Sequence, residues 1–210
     1  MAANLSLAMD DTDKVRVLFE DAKSNHVTIL PPDINRGEYR FVPIRLDSNN
    51  LSQKVTHIKY GLGAVRGTGE NAILEIVRAR QEKPFKHLFD FCSRVDRRVV
   101  NRRSIEALIR AGAFDEIAPN GVQGRAVLLE SLPNAMTAAE QALASANQVN
   151  LFGMPGEEEG SEPEYVQTAE WGDKKRLQEE KLALGFCISG HLFDAYAEEV
   201  RKVARVPLNK

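Results

Sequence analysis

The stretch Tyr60-Gly61-Leu62-Gly63-Ala64-Val65-Arg66-Gly67-Thr68-Gly69-Glu70-Asn71-Ala72-Ile73-Leu74-Glu75-Ile76-Val77 constrains the fold more than any other part of the chain. A short apolar turn, a Gly-Thr-Gly bend and a helix entry follow one another without a break. Gly67 and Gly69 let the backbone reverse tightly and approach a ligand with no Cβ in the way. The helix that begins near Glu70 leaves its first N–H groups without intrahelical partners, and its dipole places positive charge at the same end. A nucleic-acid phosphate fits such a backbone. The same Gly-x-Gly also joins packed helices that bind nothing, so the pair alone leaves both readings open.

The next segment favours the anion. Arg94, Arg97, Arg98, Arg102, Arg103 and Arg110 stand against only Asp96 and Glu106 around a second predicted helix start, which Asn101 is suited to cap. Cations in a first helical turn oppose the helix dipole, so they are not there for helix stability. They await phosphate instead, and with Arg66, Gly67, Thr68 and Gly69 they make the predicted DNA-binding set: Arg66, Gly67, Thr68, Gly69, Arg97, Arg98, Asn101, Arg102 and Arg103.

With 210 residues, 43% hydrophobic and 28% charged, the chain has the makings of an ordinary soluble protein of one or two domains. No apolar run is long enough for a membrane span, and Met1 to Met9 lacks the basic start and apolar centre of a signal peptide, so a cytoplasmic location is expected. Cys92 and Cys187 have no partner at disulfide-framework or metal-ligand spacing, which predicts two buried reduced thiols. The net charge of -2 hides a segregation: Met154 to Glu180 carries nine acids against Lys174, Lys175 and Arg176, a balance of -6 that repels DNA.

Along the chain, a helix is expected from Thr12 to Ser24 with Asp10 or Asp11 as cap, then a strand from Val27 to Leu30 ended by Pro31-Pro32. Asp11 and Asp13 fit capping and dipole roles better than a metal site, which needs carboxylates converging from a rigid scaffold. Arg40 to Leu46 and Lys54 to Lys59 alternate like a β-hairpin around Asp47 to Gln53. Helices follow at Glu70 to Gln81, Phe85 to Ser93 and Asn101 to Ala111, the last stopped by Gly112. Leu74, Ile76, Val77, Leu88, Phe89, Phe91, Ile105, Leu108 and Ile109 supply their apolar faces. Gly124 to Ser131 and Ala135 to Ala146 read as helix, with Pro133 starting the second or kinking a longer one. Lys174 to Leu184 and Asp194 to Val203 are two more, with His191 between them in a packing or capping role, and His26, His57 and His87 show no ligand pattern. The fold class is mainly α with a small β-hairpin element, an α+β chain.

Gln148-Val149-Asn150-Leu151-Phe152-Gly153 sets two large apolar residues in a tail just before the acidic tract. They can anchor in a partner's pocket or fold back as a staple on the preceding helix. Gln148-x-x-Leu151-Phe152 resembles the pattern by which bacterial replication proteins dock onto the sliding clamp, the glutamine in a polar subsite and the Leu-Phe pair in an apolar one.

Further blocks carry the likeness along the chain. Pro31-Pro32-Asp33-Ile34-Asn35, Tyr60-Gly61-Leu62-Gly63-Ala64, Gly67-x-Gly69-Glu70, Phe89-Asp90-Phe91-Cys92, Val100-Asn101-Arg102-Arg103, Ala107 to Asp115 and Leu184-Gly185-Phe186-x-x-Ser189-Gly190-His191 stand in the order found in the α subunit of bacterial DNA polymerase III, a replicative C-family polymerase. The resemblance implies an internal fragment. Residues 1–59 would be the distal fingers, 60–115 a tandem helix-hairpin-helix DNA-binding region, 116–153 a helical extension ending in the clamp motif, 154–168 an acidic linker, and 169–210 a helical segment leading towards an absent oligonucleotide-binding domain. It also implies a nucleotidyltransferase whose Mg2+-binding aspartates lie in a palm outside this chain, so the fragment carries no cofactor and is inactive alone. Its implied partners are primer-template duplex DNA, the sliding clamp through Gln148, Leu151 and Phe152, and other holoenzyme subunits through the parent chain. The second turn, Asp96 to Val100, lacks a Gly-x-Gly, and His191-Leu192 replaces the expected His-Pro. A stand-alone helix-hairpin-helix adaptor of repair or recombination is the alternative.

Overall fold

The computed structural model describes residues 1–44, 57–152, 164–191 and 193. The elements in chain order are α1 (Ala2–Leu7), α2 (Thr12–Ser24), β1 (Thr28–Leu30), β2 (Val42–Ile44), β3 (His57–Lys59), α3 (Glu70–Glu82), α4 (Leu88–Arg94), α5 (Arg102–Ala111), α6 (Arg125–Phe152) and α7 (Asp173–Leu184). One-turn 3-10 helices at Leu62–Ala64, Asp115–Ile117 and Gly121–Gly124 link them. The fold is thus mainly α with one small three-stranded sheet, as the sequence predicts. Arg45, Leu46, the loop Asp47 to Gln53, Lys54 to Thr56, Gly153, residues 154–163 of the linker expected at 154–168, and the helix expected at Asp194 to Val203 lie outside the described residues.

Capping chemistry starts the helices where the sequence says it should. Asp11 accepts the Lys14 amide at 3.1 Å to open α2, and Asn101 accepts the Ser104 amide at 3.0 Å to open α5. Gly112 closes α5 at φ +87°, a left-handed conformation that costs a residue with a Cβ about 1–2 kcal/mol. The expected start of α4 is corrected: it begins at Leu88 and not at Phe85, because the His87 ring accepts the Asp90 amide at 3.1 Å while Asp90 accepts the Lys86 amide at 2.9 Å. Phe85 instead packs its ring against Phe91, centroids 4.9 Å apart.

The hairpin of β2 and β3 is antiparallel, pairing Val42 with Lys59 and Ile44 with His57. Pro43, which has no N–H to give, sits on β2 at the sheet edge. β1 joins β3 in parallel, Ile29 opposite Ile58, a pairing that period-2 reasoning does not foresee. The Pro31 to Asn35 block ties this sheet to the helices. The Asp33 carboxylate accepts the Asn35 amide at 2.7 Å, and the Asn35 side chain bonds both backbone groups of Phe85, at 2.8 and 2.9 Å.

Buried residues from Leu5 to Phe186 form one contiguous core. Ala72, Ile73, Ile76 and Ala79 set the inward face of α3, which leaves Leu74 half exposed rather than packed as the sequence suggests. A single α6 runs through Pro133, so of the two alternatives the sequence leaves open there, the longer helix is the one observed. Leu128, Leu132, Ala135 and Ala139 bury one unbroken stripe, while Pro133 faces solvent and tolerates the loss of its N–H. The helix also continues past Ala146, so the hexapeptide is no free tail in its backbone: residues through Phe152 are helical, although the side chains from 146 to 152 are not described.

Candidate nucleic-acid interface

Two helix N-termini meet at one surface. The Leu62–Ala64 turn, the bend at residues 66–69 and α3 make the first hairpin; α4, the turn at Val95 to Val100 and α5 make the second. The Ser104 hydroxyl of α5 donates to the Gly67 carbonyl at 3.1 Å, so the two turns are joined by a direct hydrogen bond across 37 residues.

In the first turn, Gly67 has φ +82° and no atom lies within 4 Å of where a Cβ would stand on either Gly67 or Gly69. Arg66, Gly67, Gly69, Glu70 and Asn71 are exposed. The Gly69 carbonyl accepts the Ile73 amide at 3.2 Å as the first bond of α3, which leaves the amides of the exposed Glu70 and Asn71 without intrahelical partners. Thr68 turns the other way: its hydroxyl lies 2.7 Å from the Val65 carbonyl and 3.0 Å from the Leu62 carbonyl, so its side chain braces the bend from within. The Glu70 carboxylate complements the dipole of α3 but opposes a phosphate placed there. Arg66 is anchored at its backbone, its amide donating to the Ala183 carbonyl of α7 at 2.8 Å, and its guanidinium reaches Thr12 at 3.3 Å.

The arginines of the second turn divide by partner. Arg94 donates to the Ala79 and Lys83 carbonyls at the end of α3, both at 2.6 Å, and stacks 4.8 Å over Phe85. Arg97 differs from the expectation of a cation awaiting phosphate. It donates to the Met136 carbonyl and to Glu140, each at 2.8 Å, and only 20% of its side chain is exposed. Arg110 pairs with Glu106 and Glu179. Arg98 lies 90% exposed in a pair with Asp96, and that guanidinium holds the Asp96 carboxyl below its usual pKa. Arg102 is more than half exposed beside Glu106 at 2.7 Å. Burial alone would raise the pKa of Glu106, but Arg102 and Arg110 together outweigh it and lower it. Arg103 is exposed with no ion pair to a described residue. Asn101 holds the helix start through its side-chain oxygen.

Sequence reasoning missed the group that fastens this surface from behind. Arg125, 3% exposed, forks onto Asp115 at 2.7 and 2.5 Å and lies 3.7 Å from Glu180, itself 1% exposed. Glu180 also accepts the Ser189 amide at 2.9 Å, which gives the Ser189 of the Leu184 to His191 block a structural role. Paired charges so deeply buried are held by partners distant in sequence, and nothing local to Arg125 announces them. Cys92 is buried as expected, and burial pushes its thiol up to about 12; Cys187 is only half buried, its thiol 3.4 Å from the Leu177 carbonyl. Asp11 caps α2 and Asp13 lies in its first turn, the capping and dipole positions the sequence suggests.

A family model described as a helix-hairpin-helix motif matches residues 26–123. Over its full length the chain is 43% identical to DNA polymerase III subunit alpha of Neisseria meningitidis and 40% identical to that of Vibrio cholerae, covering 17% of each. Against the Escherichia coli subunit the identity is 38% over 96% of the chain and 17% of the relative. The chain's homologues are DNA polymerase III α subunits. It spans about a sixth of the length of these α subunits. The helix-hairpin-helix match contains both turns, the Ser104 bridge and the Pro31 to Asn35 block. No helix among the described residues is long and apolar enough to cross a membrane.

Proposed function

We propose that this chain is the part of a replicative polymerase α subunit that holds duplex DNA by its phosphates and tethers the enzyme to the sliding clamp. The observation that carries the reading is the Ser104 to Gly67 hydrogen bond, which sets two open helix N-termini side by side under exposed Arg102 and Arg103. Backbone amides and guanidinium groups locate phosphates and carry no information on base identity, which suits an enzyme that copies any sequence. Arg66, Arg98, Arg102 and Arg103 remain available to phosphate once Arg97 is engaged elsewhere, so log affinity should fall with log salt at a slope of about -3.5. Fluorescence-anisotropy titration of two duplexes of unrelated sequence tests this. Equal affinities and that slope support the reading, and a salt-independent or strongly sequence-selective affinity refutes it.

The clamp contact is assigned to Gln148, Leu151 and Phe152 on the strength of the pentapeptide. Docking there would raise the effective concentration of enzyme on DNA with no sequence preference. Surface plasmon resonance on immobilised clamp should show binding lost in Leu151→Ala/Phe152→Ala while duplex affinity is kept; unchanged clamp affinity overturns the assignment. Nucleotidyl transfer would belong to palm aspartates and Mg2+ in the parent protein, and this chain alone is expected to extend no primer.

A further inference from the structure

We infer that Ser104 is a positioning residue that makes the two hairpin turns grip a duplex as one unit. This rests on the duplex-binding reading above and deepens it. Ser104 is a polar residue only 2% exposed, so it touches no DNA itself. Its amide is tied to the Asn101 side chain at 3.0 Å, which fixes it in the first turn of α5. Its hydroxyl donates to the Gly67 carbonyl at 3.1 Å and lies 3.4 Å from the same Asn101 oxygen. Gly67 is exposed and occupies open space, with no side chain of its own to hold it against α5. One buried hydroxyl therefore sets the distance between the amides of the first turn and Arg103 of the second. A phosphate held at one turn then places the next phosphate of the strand at the other.

A double-mutant cycle in duplex affinity reads this coupling directly. Gly69→Ala obstructs the first turn without a fold penalty, because its φ is -87° and the new methyl meets nothing within 4 Å. Arg103→Ala removes the cation of the second. In the full 210-residue chain, titrated by anisotropy with a short labelled duplex, the two changes together should differ from the product of their separate effects by about fivefold. In the Ser104→Ala background the discrepancy should shrink to within about twofold, and Ser104→Thr, which keeps the hydroxyl, should restore it. A residue that only supports the fold would lower the melting temperature and leave the cycle unchanged. Should Ser104→Ala fail to fold, Ser104→Cys carries the same comparison with a similar volume and a weak donor. A cycle that is additive in the parent chain, or equally non-additive without the hydroxyl, overturns the inference while leaving duplex binding intact. A parent chain that binds no duplex sinks both.

Discussion

Gly67 and Gly112 both take positive φ, +82° and +87°, yet alanine should cost very different amounts at the two positions. At Gly67 the added methyl meets nothing within 4 Å, so the only penalty is the left-handed conformation, about 1–2 kcal/mol. At Gly112 the same penalty applies, and the methyl lands on the Arg125 guanidinium carbon, 2.7 Å away, and the Asp115 carboxylate, 2.8 Å away. Arg125 cannot swing aside cheaply. Its side chain is 4% exposed and forked onto Asp115 at 2.5 and 2.7 Å, with the Arg110 carbonyl at 3.3 Å. Breaking a buried pair of this kind costs about 3–5 kcal/mol, which brings Gly112→Ala to about 4–7 kcal/mol in all. For a chain of this length the two variants should melt a few degrees and on the order of 10–20 °C below the parent, respectively. Urea unfolding followed by circular dichroism measures both. Equal losses, or a Gly112→Ala loss below about 2 kcal/mol, would show that the ion pair relaxes around the methyl and that the rigidity ascribed to it is wrong.

Arg97→Ala should lower stability by about 1–3 kcal/mol through its lost bonds to Glu140 and Met136 and keep the salt slope of duplex binding, whereas Arg103→Ala should keep stability and reduce that slope by about 1. Paired melts and salt titrations reverse the assignment if the effects are exchanged. Glu180→Gln removes the second carboxylate beside Arg125 and Arg176 while Asp115 and Asp173 stay paired with them, and should cost about 1–3 kcal/mol; a melt matching the parent contradicts the account of the buried cluster. Burial raises the Cys92 thiol from an ordinary 9.0 to about 12, and burial followed by the nearby Glu180 charge also raises the Tyr60 phenol, whose hydroxyl has no hydrogen-bond partner among the described residues. Both folded-state values exceed the unfolded ones, so their contribution is complete at neutral pH and is lost as pH rises: unfolding free energy should decline from about pH 9 upward. Urea midpoints that stay level between pH 8 and pH 11 would refute it.

Features written in local chemistry were legible in the sequence. The Gly67 to Gly69 bend, the Asn101 cap and the Gly112 stop each depend on residues within a turn of one another. Arginine roles were not, because the partners that engage Arg94 and Arg97 lie on other elements, as far as 43 residues away. Composition gave six arginines equal standing, and tertiary contacts divided them. The inward face of α3 also escaped: Leu74 is as apolar as Ile73, and only packing against the core decides which of two neighbours on a helix turns inward. At Pro133 propensity alone left a new start and a longer helix both open, and the stripe from Leu128 to Ala139 decides it by holding α6 together across the proline. His87 could have been found, since a His three residues before Asp90 at a helix start is a reciprocal cap in another guise.

On the duplex-binding reading proposed above, the same division of arginines lets a surface with so few unpaired cations hold a mobile polyanion. If all six had been exposed, each phosphate contact would have required ordering a long side chain, at about 0.5–1.5 kcal/mol apiece. Instead, Arg94, Arg97 and Arg110 are engaged by partners within the chain and hold the turns in shape before any ligand arrives. The Arg66 amide is pinned to Ala183 and the Asp96 amide to Glu75 at 3.1 Å, so the backbone is anchored where it enters each bend. What is left to a phosphate is then a set of amides of exposed residues with no intrahelical partners, which lose little freedom on meeting it, with Arg102 and Arg103 beside them to supply charge. Recognition by such a preset backbone depends on the spacing of phosphates along the strand and not on the bases, so affinity should track duplex geometry and ionic strength alone.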